Sequence, residues 1–149
     1  MRSRDGSDPA RVVVGAVLAV TGVSPVLADV VVPRTAEQHL RNPSWPPHAK
    51  FHDGQYVLMG VLIGAIGLRV LLKRQGDPRA RLDLAAAVAA VPWLSMWGAL
   101  LFPGTAANDP EFDHAEPRVL GMHPQLFLAF VMLVGLSAAV ATERRRERR

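Results

Sequence analysis

The sequence predicts an all-α fold, an integral membrane four-helix bundle with both termini cytoplasmic. Four apolar stretches, Val12 to Val32, Tyr56 to Leu72, Leu84 to Phe102 and Val119 to Ala141, predict the helices. Each comes close to the roughly 20 residues that a helix needs to cross a hydrocarbon core about 30 Å thick. Half of the 149 residues are hydrophobic and mean hydropathy is +0.17, which favours lipid over water as the solvent. The charges that remain fall in short blocks between the stretches, with the basic blocks alternating in position.

The first helix is expected over 9–32. Asp8-Pro9 places a carboxylate at the N-cap and proline at the first helical position, where a missing N–H breaks nothing. Arg2 and Arg4 followed by an apolar run to Val26-Leu27-Ala28 also resemble a cleavable signal peptide, which would leave a chain starting at Asp29. Asp5 and Asp8 in the arm, and Val30 to Val32 beyond the cut, favour a retained helix. The second helix is expected over 47–73, opened by Pro46-Pro47, with Arg69 close enough to its end to snorkel. The third, over 78–102, repeats the Asp-Pro signal at Asp77-Pro78 and ends at Pro103-Gly104. The fourth, over 118–142, is expected to start behind Pro117. The whole chain, 1–149, reads as one membrane domain with outer loops 33–46 and 103–117 and a basic cytoplasmic tail, 143–149.

Charge orients the bundle, because cytoplasmic flanks collect Lys and Arg. Thirteen of the seventeen basic residues fall on the side of the termini: Arg2, Arg4, Arg11, Arg69, Lys73, Arg74, Arg79, Arg81 and the five arginines from Arg144 to Arg149. With six acids they give that side +7, whereas four basic and seven acidic residues give the outer side −3. The tail reads as a positive-inside anchor for anionic lipid rather than a nucleic-acid site. The lipid bilayer is the expected partner, with no nucleic acid; the oligomeric state is open.

Polar residues in or beside bilayer helices point to function, and here they gather at the outer end. Asp29 lies about one turn before the first helix ends; His48, His52 and Gln55 share one face of the second; His123 stands near the start of the fourth, with His114 and Glu116 in the loop before it. Asp29, His48, His52, Gln55 and His123 are therefore the candidate ligand-binding residues, and His39 is expected to be more exposed. One reading is a pocket for a lipid-like ligand or a partner. A second is a membrane isomerase-like enzyme in which Asp29 and His52 exchange a proton with an apolar substrate. A third is a metal or haem redox protein using His48, His52 and His123. In a purely structural reading these groups lock the helix ends to one another.

No cysteine is present, which excludes disulfide staples, thiolate metal sites and a cysteine nucleophile. No phosphate-binding loop, dinucleotide fingerprint, serine elbow or zinc-protease motif occurs, and the sequence names no cofactor. Gly60, Gly64 and Gly67 offer a close-packing stripe for Gly15, Ala19 and Gly22 of the first helix, or else a dimer seam. Pro92 is expected to bend the third helix, with Trp93 and Trp97 either lining the resulting cavity or forming an interfacial belt, the belt being preferred.

The segment Asn42 to Gln55, Asn-Pro-Ser-Trp-Pro-Pro-His-Ala-Lys-Phe-His-Asp-Gly-Gln, resembles the signature of a family of small four-helix membrane proteins of unknown function from bacteria and fungi. Its pattern has the form Asn-Pro-x-Trp-Pro-Pro-His-Ala-x-Phe-His with a Gln close behind, and Ala28-Asp29 matches as well. The resemblance implies that the first helix is mature protein and that the chain resides in a membrane, with a bacterial plasma membrane expected. Some members carry transferase-like names, an activity to which no residue here corresponds.

Overall fold

The computed structural model describes residues 8–112 and 117–148. Its long helices are α1 (Pro9–Pro25), continued by a π-helical turn (Val26–Val31), α3 (Pro47–Leu72), α4 (Pro78–Ala99) and α5 (Pro124–Glu147). A short α2 (Pro33–Ala36) follows the π turn, and a single 3₁₀ turn (Pro110–Phe112) lies in the loop before α5. Among the described residues there is no β-strand, only one isolated bridge between Val119 and Met122.

The helix starts follow from proline chemistry. Asp8 accepts from the N–H of Ala10 at 3.1 Å, and Asp77 accepts from those of Arg79 and Ala80, so both Asp-Pro steps cap as their residue types dictate. α5 starts later than the sequence predicts. Pro124 occupies its first turn, and His123 before it is held extended (ψ 141°), as the residue preceding proline prefers. Residues 119–122 instead form a tight turn with left-handed Leu120 and Gly121 (φ 51° and 79°), closed by the bridge. α5 also runs past the apolar stretch to Glu147, making most of the expected tail helical.

Cross-links fix the helices up-down-up-down. Arg146 meets Asp8 at 3.1 Å, Arg144 meets Asp83 at 3.5 Å, and Arg11 donates to the carbonyl of Leu71. The start of α1, end of α3, start of α4 and end of α5 therefore share one end; the other is called the distal end below. Val14, Leu18, Ala85, Ala89, Trp93 and Ala129 form the heart of the core.

The closest contact joins α1 to α3. A Cβ on Gly64 would lie 2.8 Å from the carbonyl oxygen of Leu18 and 2.9 Å from the Cα of Gly22, so only glycine lets these backbones meet. The glycine stripe is thus an intramolecular seam. Leu18, rather than exposed Ala19, fills it beside Gly67.

Each of the four segments Pro9–Val31, Pro47–Leu72, Pro78–Ala99 and Pro124–Arg146 is long and apolar enough to cross a membrane. Their outward faces are greasy: Leu58, Leu62, Ile66, Leu94 and Phe130 are all at least half exposed.

Candidate functional site

The distal half of the bundle contains a carboxylate that the backbone turns inward. Pro25 has no N–H for the carbonyl one turn earlier, and beyond it the helix widens, with the N–H of Val32 donating to Leu27 at 2.8 Å. One extra residue in a turn rotates later side chains by about 100° relative to α-helical phase. Asp29, within this turn, is only 4% exposed. The returning loop holds the turn: Thr35 Oγ1 donates to the carbonyl of Ala28 at 2.6 Å, and Arg41 donates to that of Val30 at 2.7 Å.

His39 comes back on that loop to meet the carboxylate. Its Nδ1 is 3.2 Å from Asp29 Oδ1 and 2.8 Å from the carbonyl oxygen of Thr35. A carbonyl oxygen only accepts, so Nδ1 carries a hydrogen given to Thr35, with Asp29 Oδ1 within ion-pair distance of the same nitrogen. Asp53 and Tyr56, three residues apart on α3, stand close enough to interact electrostatically with Asp29. Asp53 Oδ2 is buried without a hydrogen-bond partner among the described residues.

Asp29 and His39 line a cavity of about 250 Å³, walled also by Pro25, Tyr56, Trp93, Met96, His123 and Leu128. Trp93 is buried and donates through Nε1 to Thr21 Oγ1 at 3.0 Å. It is therefore a cavity wall and core residue, and the preferred interfacial belt does not hold for it. A second chamber of about 180 Å³ lies against the first, sharing Gln38, His39, His123 and Gln125 and adding Trp45, Asn108 and Asp109. Its roof is a tie between the distal loops. Trp45 Nε1 donates to Asp109 Oδ2 at 2.9 Å, and buried Asn42 bonds Ser44 N–H and reaches Glu111 at 3.4 Å.

The expected five-residue group thus divides. Asp29 and His123 line the cavity, the latter also capping α5 through Nδ1. His48, His52 and Gln55 do not: they form an exposed ladder on α3, with His48 and His52 Nε2 atoms 3.1 Å apart and His52 Nδ1 3.4 Å from Gln55. His52 is therefore not the imidazole beside Asp29; His39, expected to be exposed, is. Among the described residues no three His, Cys, Asp or Glu side chains gather as a metal ion would require. His114 and Glu116 lie outside the described residues.

One signal for the division was present in the sequence. Asp53, Tyr56 and Val57 continue the stripe of Gly60, Gly64 and Gly67, while His48, His52 and Gln55 lie about 120° round the helix. His39 had no such signal, because its position depends on how a loop returns.

Residues 12–149 match a family described as a family of unknown function (DUF6640). The chain belongs to that family. No curated protein and no solved structure matches it. For this DUF6640 chain the chemistry must accordingly be read from the site itself. That site joins an apolar cavity, a buried carboxylate, an imidazole with its Nδ1 hydrogen fixed, and a polar chamber between loops.

Proposed function

We propose that this DUF6640 chain is a four-span membrane protein with both ends cytoplasmic, and that the cavity in its outer half holds one lipid-like ligand. The observation that carries the reading is the cavity beside Asp29 and His39: mostly apolar walls with a few convergent polar groups are the composition of small-molecule sites. Membrane insertion is supported by the four apolar helices and their exposed aliphatic faces, since a soluble monomer rarely shows contiguous apolar patches beyond several hundred Å².

Native mass spectrometry of protein released from detergent tests it. Wild type should retain one small amphipathic molecule, and Ala28→Phe or Leu128→Phe, which fill the cavity, should lose it while remaining folded. Retention unchanged by both variants but lost on His48→Ala and His52→Ala would move the site to the exposed face of α3.

The contact between Asp29 and His39 favours one further reading, a proton-shifting enzyme. With Nδ1 giving its hydrogen to the Thr35 carbonyl beside Asp29, His39 Nε2 is the atom available to take a proton from a substrate carbon and return it elsewhere on the same molecule. Solvent deuterium would then enter the bound molecule in wild type. His39→Gln would retain the molecule but not the exchange, and exchange at the wild-type rate in His39→Gln would remove this reading.

A further inference from the structure

We propose, resting on the cavity reading above, that the ligand is a cationic single-chain amphiphile, its alkyl chain in the inner chamber and its ammonium head at the partition between the two. The charge around the chambers is one-sided. Asp29 and Asp109 line them; among the described residues, Asp53 stands beside Asp29 with one buried oxygen unpartnered, and the only ones of opposite potential charge in either wall are His39 and His123. Among the described residues no Lys or Arg lines either chamber: Arg41 is turned to the carbonyl of Val30, and Arg118 lines a neighbouring cleft that shares Ala106, Ala107, Asn108 and His123 with the outer chamber.

Among the described residues, three carboxylates in or beside the walls thus stand against two imidazoles. An anionic head would add to the excess; an ammonium head completes the neutralisation. The aromatic groups suit the same head. Trp45 is anchored to Asp109 by its indole N–H in the outer chamber, and Tyr56 and Trp93 line the inner chamber with Asp29, so each chamber pairs a carboxylate with aromatic side chains. Pro25, Met96 and Leu128 leave the depth of the inner chamber to a chain.

The test compares three probes of one chain length, dodecyltrimethylammonium, dodecyl sulfate and dodecanol, each below its micelle-forming concentration. Protein in phosphatidylcholine nanodiscs is titrated and the tryptophan fluorescence followed, with empty discs subtracted. The ammonium probe should bind about tenfold more tightly than either other probe, and Asp29→Asn should weaken it about tenfold without changing dodecanol. Asp109→Asn, in a loop, should weaken the ammonium probe in the same direction and serves if Asp29→Asn does not fold.

Equal binding of the sulfate or the alcohol, or ammonium binding unchanged in the folded variants, would overturn the cationic head and leave the cavity standing. No fluorescence response to any probe would instead overturn the cavity reading. Repeating the titration in discs of an uncharged galactolipid separates two sources of the same head. Unchanged ammonium affinity assigns a free single-chain amine, and affinity that rises once choline heads are removed would overturn the single-chain ligand in favour of the choline head of a two-chain lipid.

Discussion

Trp93 and Thr21 form a hydrogen bond whose two partners are both buried, so the loss of either is felt by the other. Thr21→Val keeps the volume but leaves a buried indole N–H unpaired, which should lower stability by about 1–2 kcal/mol. Reversible unfolding in mixed micelles would measure it; Trp93→Phe, which removes the donor altogether, should combine with Thr21→Val non-additively. The pair Asp29 and His39 calls for an asymmetric outcome. His39→Ala leaves a buried carboxylate without its partner and should destabilise by about 2–4 kcal/mol, whereas adding Asp29→Asn removes the charge and should recover at least half of that loss. No recovery in the double variant would mean that His39 holds the loop through Thr35 rather than through Asp29.

Between elements, the α1–α3 seam is set by backbone rather than side chains. Gly64→Val places its Cβ against the Leu18 carbonyl and the Gly22 backbone, neither of which can yield, and should destabilise by about 1–3 kcal/mol. Gly98→Ala on α4 meets nothing within 4 Å and should be neutral or stabilising by up to about 1 kcal/mol. This seam was legible in the sequence because glycines at helical spacing announce close approach, as were the two Asp-Pro caps, which are local chemistry. Only half of the site was. Asp29 and His123 stood out as polar residues at the edges of apolar runs, but the helical phase that turns His48, His52 and Gln55 outward becomes decisive only once the glycine face is known to point inward. The π turn after Pro25 has no composition that distinguishes it from an α-helix, and it rotates Asp29. Pro117 and Pro124 present the same start signal, and the choice between them is made by the tight turn at Leu120-Gly121.

At the scale of the whole molecule, the arrangement links charge, shape and site. The end carrying Asp8, Asp83, Arg144 and Arg146 is rich in arginine, and the distal end, where the cavity opens between loops, carries Asp29, Asp53, Asp109 and Glu111. In the proposed orientation, with the arginine-rich end cytoplasmic, the cavity faces the non-cytoplasmic side and takes ligands from the outer leaflet or from outside the cell. The absence of native cysteine makes the orientation directly testable with single-cysteine variants. Thr105→Cys lies in the distal loop and Gln75→Cys in the short connection from α3 to α4, both exposed. A membrane-impermeant maleimide applied to intact cells should label Thr105→Cys and reach Gln75→Cys only after the membrane is opened. The opposite pattern would invert the protein and make the cavity cytoplasmic. Labelling of both in intact cells would mean that the connection from α3 to α4 is not enclosed by the membrane. In the inverted case the ligand source would have to be sought on the cytoplasmic side, although the geometry that holds Asp29 against His39 would be unaffected.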